Sequence, residues 1–235
     1  MTLPPTSLSL CIPVLNRYDC LRTLLLSLHT IRRARRMLPT SLHLVNNGRN
    51  PHKLREALTV LPGEVEQVGI YTPHVALGLA ASWNFFLRYA PPPWLICNDD
   101  VTFSAESIDR VLTTPGDFVS PLAGTCAAFS CFLWTAQGFD QLLRDEGHKR
   151  NEWDPGYFDE QISPGYAYFE DNDYAERLKR AGIPITGVDA GVEHAGSQTL
   201  QMYTKAELAA HHQKFEIAKA NFRAKWGFVP REERP

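Results

Sequence analysis

The chain has 235 residues, enough for one sizeable α/β domain. Hydrophobic residues make up 44% and charged residues 21%, which excludes a disordered or fibrous chain. A net charge of −2 leaves no global basic field to recruit nucleic acid or anionic lipid. The five cysteines, Cys11, Cys20, Cys97, Cys126 and Cys131, are odd in number and form no C-x-x-C pair. They read as reduced core residues of a cytoplasmic protein. Segment 1–8 has neither a basic region nor a clean apolar one, so no signal peptide is expected. Segment 118–139 is uncharged and long enough to span a bilayer, but it contains Pro121, Gly124 and Gln137. Two buried strands joined by a Gly-Thr turn explain it better.

In chain order, the first strand is expected over 8–14. A helix capped by Asp19 follows, with Leu21, Leu24, Leu25, Leu28 and Ile31 at helical spacing. A second strand over 42–45 ends in Asn46-Asn47-Gly48. A third, Gln67–Tyr71, leads through a glycine-containing loop to a helix over Leu79–Tyr89, which Pro91-Pro92-Pro93 stops. The apolar strand Trp94–Cys97 runs directly into Asn98-Asp99-Asp100, and Ser104 caps a helix running to Leu112. After Pro115 come short strands, a helix near 138–145 and a polar loop. A helix over about 173–181 ends at Gly182. The last helix, Lys205–Trp226, places Leu208, Phe215, Ala218, Phe222 and Trp226 on one stripe and ends at Gly227. Strands alternating with helices imply a mostly parallel sheet. No repeat or linker divides the chain, so one domain over 1–235 is expected. Its nucleotide-binding part would span about 8–114, its acceptor and catalytic part about 115–200, and its C-terminal helix about 205–226.

A buried strand that ends in carboxylates delivers oxygen ligands to the carboxyl edge of a sheet, where open α/β sheets bind their ligands. Hard oxygens suit Mg²⁺ or Mn²⁺, which usually hold substrate phosphates. The bland reading of Asp99-Asp100 is a polar turn. Elsewhere in the chain stand Ile12-Pro13-Val14-Leu15-Asn16-Arg17, Val45-Asn46-Asn47-Gly48, Gly156-Tyr157-Phe158-Asp159-Glu160, Phe169-Glu170-Asp171-Asn172-Asp173-Tyr174-Ala175-Glu176-Arg177-Leu178, and Val192-Glu193-His194 with Gly196-Ser197. Taken in this order with Asn98-Asp99-Asp100, they resemble the motifs of GT-A fold glycosyltransferases of the family 2 type, over about 8–199. Each motif alone is weak, and their common order and spacing carry the resemblance.

The resemblance implies a Rossmann-like GT-A domain with flanking helices and an inverting, metal-dependent transfer of sugar from a nucleotide-sugar to a hydroxyl. A UDP-sugar would come before other donors, and the cofactor would be Mn²⁺ or Mg²⁺. Asn98-Asp99-Asp100 stands in the place of the metal-binding DxD motif. Pro13, Asn16, Arg17, Asn46, Asn98 and Asp99 would bind the donor, and Asp100 with His194 would hold the metal. Asp171 would be the catalytic base, with Glu170 as the second choice. Breaking the glycosidic bond builds negative charge on a diphosphate, and a divalent cation neutralises it. The acceptor hydroxyl must also lose a proton, which a positioned carboxylate takes.

The chain departs from the family pattern at two places. Asn98 is neutral where an acid is usual, so it would ligate weakly or contact the ribose. Asn46 replaces an Asp that resembles a uracil-binding residue in relatives, and an amide both accepts and donates, so the base is open. Asn16 and Arg17 are candidates for base or phosphate contact. Asp173 fits a helix N-terminus. Trp83 and Asn84 read equally as core or site. So do the aromatics Tyr157, Phe158, Tyr166, Tyr168 and Phe169, which could shape an acceptor site. Arg32-Arg33-Ala34-Arg35-Arg36 reads as a solvated helix end before a polyanion site, and His211-His212 as surface. Two other readings stand beside the transferase. A nucleotidyltransferase is disfavoured because no Gly-rich phosphate loop with a following Lys appears near the first strand. The other is a GT-A domain that binds nucleotide-sugar without turnover. The acceptor is open: a glycan, lipid-linked sugar, protein, small molecule or modified nucleobase.

Overall fold

The computed structural model describes residues 7–34, 38–125, 127–147, 154–164, 168–196 and 204–230. Arg35, Arg36, Cys126, Tyr166 and Ser197 lie outside them. The first strand is β1 (Ser9–Val14), followed by α1 (Tyr18–Arg33), β2 (Ser41–Asn46), α2 (Pro51–Leu58), β3 (Gln67–Tyr71) and α3 (Leu79–Tyr89). The middle of the chain is β4 (Trp94–Cys97), β5 (Val101–Phe103), α4 (Ser107–Thr113), β6 (Phe118–Ser120), a 3-10 turn at Ala128–Ser130 and β7 (Cys131–Trp134). The rest is α5 (Ala136–Gly147), α6 (Glu170–Arg180), β8 (Ile185–Gly187), β9 (Val192–His194) and α7 (Lys205–Trp226).

Seven strands form one sheet in the order β3-β2-β1-β4-β7-β6-β8, and only β7 runs against the others. β5 and β9 form a separate antiparallel pair. Every residue of β1 and β4 is buried, as expected for strands covered on both faces. On one face, Leu21, Leu24, Leu25, Leu28 and Ile31 of α1 pack with Leu54 of α2 and Ile108 of α4. Full burial of each such side chain contributes about 1.5–3 kcal/mol. On the other face, Trp83 and Phe86 of α3, Leu142 of α5 and Tyr174 of α6 pack with Phe118, Phe132 and Trp134. Ala218 and Phe222 of α7 form a smaller core with Ile162, Phe169 and Val229.

Several boundaries differ from the sequence expectation, for local reasons. α1 begins before Asp19, which lies in its first turn and accepts from Arg17 rather than capping the helix. α2 was not anticipated, although Pro51 stands in its first turn and the Asn50 side chain accepts the Lys53 N–H at 3.0 Å. α4 starts at Ser107, because β5 occupies Val101–Phe103. α6 starts at Glu170, since Tyr168 and Phe169 take positive φ of 147° and 62° and turn the chain into the helix early. Leu208 of α7 is exposed, and the buried stripe is confined to the second half of that helix. The strands expected within 118–139 are β6 and β7. Among the described residues no helix is long and apolar enough to cross a membrane. Cys11, Cys97 and Cys131 are buried and reduced, as expected, and Cys20 is half-buried and reduced.

Candidate active site

The parallel strands β1, β2 and β4 all end at one edge of the sheet, and their trailing residues meet there. The loop after β2 closes on the loop after β1. A Cβ on Gly48 would fall 1.6 Å from the Leu15 carbonyl oxygen, so only glycine fits. Asn47 and Gly48 donate their N–H groups to Val14 O at 2.7 and 3.3 Å. The Leu15 N–H in turn donates to the Asp99 carboxylate, which joins β1 to the acidic segment after β4. Burial, followed by the neighbouring Asp100 charge, pushes Asp99 up to about 7.

Asp100 and His194 are brought together by the small sheet. β5 and β9 pair antiparallel with Val101 opposite His194, and the Ala195 N–H donates to Asp100 O at 3.0 Å. The His194 Nε2 lies 3.1 Å from Asp100 Oδ1, and both side chains are mostly shielded from water. Ninety-four residues of sequence separate them, yet three hydrogen-bonded positions suffice to fix the pair. Two residues before Asp100 in the chain, Asn98 donates from Nδ2 to Ser130 Oγ at 3.3 Å, and its buried Oδ1 has no hydrogen-bond partner among the described residues. An orphaned buried acceptor carries a desolvation penalty, so this oxygen is poised to take a donor or a cation.

The residues expected to bind the donor differ in their access. Asn16 is exposed at the edge, and Pro13 is buried within β1 opposite Val45. Arg17 makes a two-pronged ion pair with Asp19 at 2.9 and 2.8 Å and lies in the field of Asp99. Asn46 is only 1% exposed. Its Oδ1 accepts from the Tyr18 hydroxyl at 2.7 Å, and its Nδ2 donates to Thr72 Oγ1 at 3.3 Å. The Tyr18 hydroxyl accepts the Asn50 N–H at 2.9 Å, so its single proton goes to Asn46 and fixes which way that amide faces. Asn47 accepts the Leu77 N–H and donates to Ser82 Oγ, which secures the start of α3.

α6 leads through a short turn into β8, which runs parallel to β6 and hence with β4. Glu170 and Asp171 stand in the first turn of α6. Glu170 is buried and accepts the Tyr168 N–H. Burial, then the adjacent Asp171 charge, pushes its carboxyl up to about 8. Asp171 is half-buried, and its Oδ1 accepts the Asn172 N–H at 2.8 Å.

Asp173 does more than complement a helix start. Its Oδ1 accepts from Lys225 at 2.6 Å and from Trp226 Nε1 at 2.8 Å, so it ties α6 to α7. One turn on, Arg177 grips Glu146 of α5 with two bonds of 2.5 Å, both side chains buried, while Glu146 accepts the Gly156 N–H. Trp83 and Asn84 belong to the interior: Trp83 packs on Phe158, and Asn84 bonds both the N–H and the carbonyl of Phe158. Tyr18, Ser130 and the Glu146–Arg177 pair escaped the sequence reading. Only Tyr18 carried a signal, as the residue directly after Arg17.

No family model and no curated protein matches the chain. Solved structures do. A mannosyltransferase from Pyrobaculum calidifontis, in complex with GDP-Man and Mn²⁺, superposes with a TM-score of 0.57 at 12% identity, over 97% of this chain and 78% of that one. TarS 1-349 from S. aureus, in complex with UDP-GlcNAc, gives 0.53 at 14% identity, over 97% and 74%. The inositol-1-phosphate CTP transferase from T. maritima gives 0.50 at 9% identity, over 94% and 98%. The chain is similar to these in fold: it has the GT-A-like architecture that glycosyltransferases share with a nucleotidyltransferase.

Proposed function

We propose that the chain is a nucleotide-sugar-dependent glycosyltransferase that transfers a sugar to a hydroxyl with inversion. The observation that carries this reading is the Asp100–His194 pair, 3.1 Å apart at the carboxyl edge of a GT-A-like sheet. The residues fit a divalent cation. One carboxylate and one imidazole meet there, and Mg²⁺ or Mn²⁺ characteristically takes few protein ligands alongside substrate phosphates. Among the described residues no set of three or more His, Cys, Asp or Glu gathers to hold an ion without the substrate. Asp100 and His194 would hold the ion, which when bound neutralises the charge developing on the leaving diphosphate.

The rest of the chemistry falls to the chain. The acceptor oxygen forms a bond to the anomeric carbon as the bond from that carbon to the diphosphate breaks. Asp171 takes the acceptor proton, and the nucleoside diphosphate leaves with the bonding pair. Glu170 is buried with its carboxyl pushed toward the protonated form, while Asp171 is only half-buried, which favours Asp171. Asn16 and Arg17 line the donor side. Asn46, at the end of β2, would contact the base.

A screen of nucleoside diphosphate-sugars by thermal shift with Mn²⁺, followed by mass spectrometry of the donor, tests the reading. It predicts stabilisation by at least one donor and slow release of the free sugar. A second reading, nucleotidyl transfer, is favoured by the likeness to the CTP transferase. Release of pyrophosphate from a nucleoside triphosphate, with no donor hydrolysis, would establish it instead.

A further inference from the structure

The strand β3 closes one end of the large sheet and pairs only with β2 among the described residues. Natural edge strands are usually blunted by a charge, a proline, a bulge or a covering loop. Gln67-Val68-Gly69-Ile70-Tyr71 has none of these. Val68 and Ile70, opposite Leu42 and Leu44 on the α1 and α2 face, are 44% and 48% exposed. On the α3 face, Tyr71 stacks on Phe85 with ring centroids 4.4 Å apart, and Phe85 meets Tyr89 at 4.7 Å. Tyr89 is 70% exposed and Val75 76% exposed. The edge is thus apolar on both faces, with unpaired backbone groups between them.

We propose that β3 pairs with β3 of a second copy of this chain, antiparallel about a two-fold axis at Gly69. That register sets Val68 against the partner copy's Ile70 and Gln67 against Tyr71, so each apolar position meets an apolar or neutral one. Charge complementarity selects this occupant. The strand is entered through exposed Glu66, with Glu64 paired to Arg32 of its own chain, and beyond its end the exposed Arg49 holds the His74 carbonyl at 2.5 Å. In the antiparallel arrangement the acidic entry of each copy lies beside the basic exit of the other, and a parallel arrangement would set like ends together. The axis is perpendicular to the sheet, so the Tyr71–Phe85–Tyr89 ladders of the two copies fall on the same side and extend the contact beyond the strands. The Asp100–His194 edge is left open.

Light scattering on a sizing column, over a dilution series of the full chain, tests this. The expected result is a particle of twice the chain mass at high concentration that dissociates on dilution. The Val68→Lys, Ile70→Lys double variant should be monomeric throughout, with an unchanged circular dichroism spectrum, because both side chains already reach solvent. Hydrogen exchange on the wild type supplies a readout independent of any variant. The backbone amides of 67–71 should be protected at high concentration and exchange faster on dilution. A wild type that stays monomeric at every concentration, a dimer that survives the double substitution, or exchange at 67–71 that ignores concentration would each overturn the proposal. Capture of a different protein by a monomeric chain would reassign the edge to that partner.

Discussion

At the scale of single residues, the account turns on three carboxylates with different surroundings. Asp100 lies 3.1 Å from His194, in the turn that enters the β5–β9 ladder where Val101 pairs with His194. Asp100→Ala should lower turnover by at least ~10²-fold, the scale of one lost electrostatic stabiliser. Unchanged activity in that variant and in chelator would remove the metal site. Asp171→Asn keeps shape and removes basicity, so transfer should fall by roughly 10²–10⁴-fold while donor affinity is kept. Loss of donor binding as well would make Asp171 a structural or ligating residue. Glu170 yields a different kind of prediction. Its carboxyl is raised from the ordinary 4.5 to about 8, so between those values the native state holds a proton that the unfolded chain has lost. Its contribution to stability is therefore complete below about 4.5 and is lost as pH rises through 8. Melting temperature should fall across that window, and Glu170→Gln should flatten the fall. An identical slope in the variant would show that the titrating group is elsewhere.

At the scale of elements, the fold around the site depends on two close approaches between elements. The Gly48 backbone lies against Leu15 O, and Leu15 N–H holds Asp99. Gly48→Ala must push the two loops apart, at a cost of about 1–3 kcal/mol, which a shift in the urea midpoint would read. Donor affinity should weaken with it, since the same loops carry Asn16 and Arg17. On the other face, Arg177 fastens α6 to α5 through Glu146, with both groups buried. Removing Glu146 leaves the buried Arg177 the longer 3.5 Å pair to Asp173, so Glu146→Gln should destabilise by about 3–5 kcal/mol. Replacing both Glu146 and Arg177 by Met should restore most of that loss. A loss in the single variant below about 1 kcal/mol, the scale of an exposed pair, would mean that water reaches the pair.

For the whole molecule, the parallel sheet and its layers were legible in the sequence because burial imposes periodicity. The apolar runs of β1 and β4 and the leucine stripe of α1 leave a pattern that survives without coordinates. Elements held by only three residues left no such pattern: β5, β8 and β9 are too short for alternation to register. α2 was hidden for a different reason, since its cap and proline are also turn residues. Within the site, order and spacing of motifs pointed to Asp100 and His194, and the β5–β9 pairing supplied the contact that no spacing specifies. Partners such as Tyr18 for Asn46 and Lys225 for Asp173 were illegible because long-range side-chain bonds leave no local trace. The claim at the centre is that this edge binds a nucleotide-sugar through Asp100. Isothermal titration of nucleoside diphosphate-sugars into the wild type and into Asp100→Ala, each with and without Mn²⁺, measures it directly. The account predicts that at least one donor binds the wild type only with Mn²⁺, and that Asp100→Ala abolishes the metal-dependent part. Donor binding of equal strength without the metal and in Asp100→Ala, or no binding by any donor, would contradict it.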